Sequence, residues 1–183
     1  MHDSRGGTCV GALGELRLRL LGPFEVEGVD RHRLGTRRAR TLLKVLALAR
    51  GRSVSVDRLV ECLWPDDPPA RPGVQVGVLV SRLRGVLGVT RLVRTEAGYA
   101  LVFDWVDVGE LAELAEEAAR RLSAGGYTLA RVAASAAIAL ARGPLLAEEA
   151  EAEWAALDRA AVGRLVSPKF RDLECFDQGA DQR

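Results

Sequence analysis

Across residues 16–103 the apolar side chains change spacing from every second residue to every third and fourth and back again. That switching confines this stretch to a small sheet, three short helices and a closing hairpin. Leu16, Leu18 and Leu20 alternate with Arg17 and Arg19, Phe24 and Val26 follow Gly22-Pro23, and Gly28 precedes a third extended piece expected around Arg33-Leu34. Such an antiparallel sheet has one apolar and one wet face. Thr36 is placed to cap a helix in which Ala39, Leu42, Leu43, Leu46 and Ala47 recur at helical spacing, with Gly51 to end it. Ser55 caps a second, shorter helix carrying Val56, Leu59, Val60 and Leu63, stopped by Trp64-Pro65 and the proline-rich run to Pro69. A third helix follows Pro72, burying Val76, Leu79, Val80, Leu83, Val86 and Leu87 and stopping at Gly88. Leu92 to Thr95 and Tyr99 to Phe103, joined by a tight Glu96-Ala97-Gly98 turn, are the strands of a hairpin.

At about 100° per residue, the face of the third helix opposite its buried stripe collects Arg71, Val74, Val78, Ser81, Arg82 and Gly85. Gly77 and Arg84 stand on one flank and Gln75 on the other. Arg71, Ser81, Arg82 and Arg84 are thus expected to project into solvent.

Beyond Asp104 the composition turns rich in Ala, Leu and Glu, which marks a domain boundary with almost no linker. Asp107 and Glu110 fit a capping pattern for a helix carrying Leu111, Leu114, Ala115, Ala118 and Leu122, ended by Gly125-Gly126. Tyr127 to Ala141 is its partner. A third helix is expected from about Glu148 to Leu165, anchored by Trp154, Leu157 and Leu165. The resulting division is a disordered arm at 1–14, a first domain at 15–104, a helical domain at 105–166 and a disordered tail at 167–183.

The formal net charge of +1 hides halves of opposite sign. Residues 1–104 hold 17 Arg/Lys against 11 Asp/Glu, net +6, and residues 105–183 hold 9 against 14, net −5. A basic half points to a polyanionic partner, although charged helix faces are also often just solvated. Cys9, Cys62 and Cys175 are odd in number and lack metal-ligand spacing, so they read as free thiols, with Cys62 buried in its helix. No apolar run approaches the roughly 18 residues of a membrane span and no signal sequence opens the chain, so a cytoplasmic protein is expected. His2 and His32 have no Cys, Asp or Glu spaced to make a metal site or a general base, and no phosphate-cradling glycine motif occurs. An enzyme, a cofactor and a metal are therefore not expected.

The motifs in order are Leu20-Leu21-Gly22-Pro23-Phe24-Glu25-Val26, Leu34-Gly35 with Arg38 and Arg40, Ser55-Val56-Asp57-Arg58-Leu59-Val60, Leu63-Trp64, Asp67-Pro68-Pro69, Val80-Ser81-Arg82-Leu83-Arg84 and Gly98-Tyr99. Together they resemble the streptomyces antibiotic regulatory protein family over about Leu16 to Leu165. The resemblance implies a mainly α chain with a small β component. An OmpR/PhoB-type winged helix-turn-helix would be followed by a TPR-like all-helical domain, similar here to part of a bacterial transcriptional activation domain through Gly143-Pro144-Leu145 and Glu153-Trp154-Ala155. It also implies double-stranded promoter DNA as partner, with the third helix in the major groove and the wing at the minor groove, activation of a biosynthetic gene cluster, and contact with RNA polymerase. Only one and a half helix pairs are present where such domains have about three, so a homodimer, a cap made by the final helix or a marginal fold would have to deal with the uncovered face. With about 14 residues before the first strand, no receiver domain is expected to precede it.

Phosphate contacts give affinity and base contacts give sequence choice. The candidate DNA-contacting residues are Arg71, Gln75, Ser81, Arg82 and Arg84 on the third helix, with Arg91, Arg94 and Thr95 on the wing. Arg37, Arg38, Arg40 and Lys44 read as scaffold, with Arg38 and Arg40 within possible reach of phosphate. Trp64 reads as a core plug, and Trp105 and Trp154 as fixtures of the domain junction and the helical domain. Gly73, Val74 and Gly77 depart from the polar recognition helices of the family. They keep open a second reading, a protein-interaction module that has lost DNA readout.

Overall fold

The computed structural model describes residues 14–166. The expected arm, except Gly14, and the expected tail lie outside the described residues, as do His2, Cys9 and Cys175.

The first half contains strands β1 (Arg17–Arg19) and β2 (Glu25–Val26), helices α1 (Arg37–Leu48), α2 (Val56–Leu63) and α3 (Pro72–Leu87), and strands β3 (Leu92–Thr95) and β4 (Gly98–Leu101). Local chemistry explains the helix starts. The Thr36 hydroxyl accepts from the Ala39 N–H and the Ser55 hydroxyl from the Arg58 N–H, each satisfying one orphan donor of a first turn. Proline occupies the first position of α3, where a missing N–H costs nothing, and Gly88 ends the helix with a positive φ. Leu42, Leu43, Leu46, Leu59, Val76, Val80, Leu83 and Leu87 all point inward, as the spacing requires, and Trp64 plugs the end of α2. Cys62 is buried, and burial pushes its thiol above the ordinary range.

Arg31–Leu34 is a 3-10 turn, not the expected third strand. The Asp30 carboxylate accepts from the His32 N–H and caps a turn whose one buried residue is Leu34, leaving no alternating face to pair. The third strand is instead β5 (Trp105–Val106), beyond the point where strands were expected to stop. It pairs parallel to β1, in register Arg17 to Trp105 and Leu18 to Val106, while β2 pairs antiparallel on the other edge. The outer face of β1 is wet as read, with the Arg17 guanidinium 4.4 Å from the Trp105 ring.

Helices α4 (Asp107–Ser123) and α5 (Tyr127–Leu140) form a hairpin closed by Ala118, Ala133 and Ala134, and α6 (Ala156–Leu165) packs against α4. The expected single helix from Glu148 is broken into two 3-10 turns, Ala147–Glu149 and Glu153–Ala155, before α6 starts. Arg159 explains the interruption, because its guanidinium donates to the carbonyls of Glu149 and Ala152 and holds the segment in an irregular path. Leu157 does not anchor this region: it is 85% exposed, while Trp154 packs against the core.

The core runs without a break from the winged helix into Leu111, Ala137, Leu145, Leu146 and Val162. Backbone bonds cross the same boundary. Leu146 N–H donates to Leu20 C=O, Gly22 N–H to Pro144 C=O, and Leu21 bridges to Leu145. Gly22 and Gly143 approach so closely that a Cβ on Gly143 would lie 3.1 Å from the Gly22 Cα. Asp107 does not make the expected capping box. Its buried carboxylate reaches back to accept from the N–H groups of Leu20 and Leu21 at 2.8–2.9 Å as well as from Val108. Burial raises its pKa, against the pull of those three donors.

Candidate nucleic-acid interface

No acidic residue occurs between Asp67 and Glu96, a stretch that includes all of α3 and β3 and carries Arg71, Arg82, Arg84, Arg91 and Arg94. The fold presents part of this set on one surface. Arg71, Gln75, Ser81 and Arg82 are exposed on the face of α3 turned away from the core. Among the described residues, no hydrogen bond or ion pair restrains the guanidinium of Arg71 or Arg82. The first turn of α3 holds no acid, and its cap residue, Arg71, makes no side-chain bond back to the helix.

The remaining candidates are tied into the structure. Arg84 does not project freely into solvent: it is half-buried and donates from Nε at 2.9 Å and from a terminal nitrogen at 2.7 Å to the Leu92 carbonyl. This fork fixes the end of α3 to the first wing strand. Arg91 pairs with Asp104 at 2.8 Å and donates to Gly14 C=O. The Asp104 carboxyl is held below its ordinary range, first by the Leu16 N–H and then by Arg91. Arg94 is exposed on β3 but leans on Tyr99, donating to its hydroxyl at 2.9 Å with the guanidinium 5.4 Å from the ring. Thr95 donates to Ser53 in the α1–α2 turn at 2.9 Å. The wing tip itself shows Glu96 and Ala97.

The hairpin is held close to its turn by Val54, which exchanges backbone bonds with Tyr99 at 2.8 and 2.9 Å. Gly98 permits this approach: its φ is +140°, and a Cβ there would lie 2.0 Å from the Val54 carbonyl oxygen. The wing is therefore a fixed extension of the α1–α2–α3 unit.

A cluster of charged residues that joins α1 to the Ala147–Glu149 turn was not identified from sequence. Lys44, read as scaffold on α1, is 1% exposed, with Nζ 3.3 Å from Glu149, 3.5 Å from Glu148 and 5.2 Å from the Phe24 ring centroid. Arg37 pairs with Glu149 at 3.0 Å and Arg31 with Glu148. Arg31 lowers the Glu148 pKa. For Glu149, burial acts upward, but Arg37 and Lys44 together outweigh it and lower the net value. The available signal was the pairing of adjacent carboxylates with a lysine inside an apolar stripe, but the partners lie more than a hundred residues apart. Of the other α1 cations, Arg38 lies over Trp64 at 5.5 Å and Arg40 donates to Gly35 C=O.

Residues 31–101 match the family model described as "Transcriptional regulatory protein, C terminal". The chain is 32% identical over 135 residues to regulatory protein AfsR of Streptomyces griseus, a match covering 72% of this chain and 14% of AfsR. It is 32% identical over 123 residues to transcriptional regulatory protein MoaR1 of Mycobacterium tuberculosis, covering 62% of this chain and 40% of MoaR1. Among solved structures, Mycobacterium tuberculosis EmbR in complex with a low-affinity phosphopeptide is similar, with a TM-score of 0.67 and 27% identity over 88% of this chain and 43% of that one. The chain thus spans less than half the length of each of these three proteins.

Proposed function

This chain belongs to the streptomyces antibiotic regulatory protein family of transcriptional regulators, with an OmpR/PhoB-type DNA-binding domain, and we propose that it binds promoter duplex sequence-specifically and activates a biosynthetic gene cluster. In this reading α3 lies in the major groove and the β3–β4 wing approaches the adjacent minor groove. Functionally the division falls near residue 104: residues 15–104 hold DNA, and the acidic, TPR-like unit at 105–166 engages RNA polymerase in the cytoplasm. The carrying observation is the exposed α3 face, with unrestrained Arg71 and Arg82 in a stretch free of acidic residues. Arg71 and Arg82 can take phosphate or pair with guanine O6 and N7, and Gln75 can serve an adenine edge. Arg84 and Thr95 act from behind, by fixing the wing to α3 and to the α1–α2 turn.

The test is binding of the purified chain to duplex from its own upstream region and to scrambled duplex across a salt series. Contact with about five to eight phosphates predicts a log–log slope near −5 to −7. An Arg71→Ala/Arg82→Ala variant should fold normally and lose both the preference and about two units of slope. Equal, weak binding to both duplexes would refute sequence-specific regulation and favour the protein-interaction reading that exposed Val74 and Val78 support.

A further inference from the structure

The centre of the exposed α3 face is uncharged, and its cations stand to one side. At about 100° per residue, Val74, Val78, Ser81 and Gly85 fall within a sector of about 60°, and Arg71, Arg82 and Gln75 follow on a single flank. Val74 is 59% exposed and Val78 39%. Val76 and Val80 of the same helix are buried, so Val74 and Val78 form an apolar pair on the face that the core does not use.

We propose that Val74 and Val78 are specificity determinants that select thymine by packing on its 5-methyl group, at two positions about two base steps apart. The proposal rests on the DNA-binding reading above and adds what the surface recognises. Thymine is the base that presents a methyl group in the major groove, whereas the other edges there offer hydrogen-bond donors and acceptors that valine cannot use. Val74 and Val78 are four residues apart, a rise of about 6 Å along the helix, against about 6.8 Å for two steps of one DNA strand. Between them Gly77 carries no side chain, and a Cβ there would meet nothing within 4 Å, so the backbone is open to the groove floor. Gln75, beside Val74, suits the N6 and N7 edge of adenine, the partner of thymine. Charge argues for DNA over an apolar protein groove, because the two valines make a small patch flanked by the exposed Arg71 and Arg82 in a stretch with no acidic residue between Asp67 and Glu96.

The experiment selects preferred duplexes from a random pool with the full chain. Each thymine of the selected site is then replaced singly by deoxyuridine, which removes the methyl and leaves base pairing intact. We expect two positions, two steps apart, at which the substitution weakens binding about fourfold each, as loss of one buried methyl-sized group requires. The same substitutions should cost a Val74→Ala/Val78→Ala variant nothing. Uniform tolerance of uracil, or penalties unchanged in the double variant, would overturn methyl selection while leaving sequence-specific binding intact. Failure to enrich any duplex would overturn both readings together. Because the wild-type chain meets the uracil duplexes unaltered, a folding defect in the variant cannot imitate the expected result.

Discussion

Replacing Lys44 with methionine should destabilise the fold by about 2 kcal/mol, although methionine retains much of the buried stem. The size follows from what is left behind. Removing one partner of a fully buried ion pair costs about 3–5 kcal/mol, chiefly through the stranded charge. Here Glu149 keeps Arg37 at 3.0 Å and Glu148 keeps Arg31, so only part of the compensation is lost, and the loss falls on the more buried Glu149. Urea unfolding at pH 7 followed by far-ultraviolet circular dichroism should show a midpoint lower by about 1 M. Adding Glu149→Gln to Lys44→Met removes the stranded carboxylate and should recover about 1 kcal/mol, so the two substitutions are coupled rather than additive. A Lys44→Met protein as stable as wild type, or a double variant weaker by the plain sum of the singles, would refute the reasoning.

Gly98→Ala forces a Cβ to within 2.0 Å of the Val54 carbonyl at an unfavourable φ, so it should cost more than about 3 kcal/mol and lower the thermal midpoint sharply. Arg84→Ala removes both donors to Leu92 and should cost about 1–2 kcal/mol in denaturant titration while weakening binding to all duplexes alike, since wing placement and not base choice is disturbed. Acid titration should expose the Glu148–Glu149 cluster. Their folded-state pKa values lie below the ordinary 4.5, so their stabilisation is complete above that value and disappears as pH falls through the folded values. A Glu148→Gln/Glu149→Gln variant should therefore lose less stability than wild type between about pH 5 and pH 3, a comparison read from urea midpoints at each pH. Asp107, with its pKa raised, contributes with the opposite sign.

The helices of the winged unit could be read from the chain because their information is local. Apolar spacing, the Thr36 and Ser55 caps, Pro72 and Gly88 each act within a few residues of the bond they determine. What escaped was long-range. Trp105–Val106 has β-favouring side chains but is too short to show alternation, and it is extended because the edge of β1 is free to receive it. Asp107 followed by Glu110 looks like a cap in sequence, yet its strongest partners lie 86 and 87 residues away. The broken third helix has the same origin, since Ala147–Glu149 is drawn to α1 by Arg31, Arg37 and Lys44. At the candidate interface, face assignment placed Arg71, Gln75, Ser81 and Arg82 as they stand, but a helical wheel does not show that the Leu92 carbonyl waits beside Arg84.

The backbone of Leu20–Gly22 takes its hydrogen bonds from Asp107 and from the segment around Pro144 to Ala147. During synthesis that early segment therefore waits for chain more than a hundred residues younger before its last bonds can form. In the finished protein, a push on the helical half has no slack hinge in which to disappear. A partner pressing on α4 would be felt directly by β1 and β5, against which that helix packs.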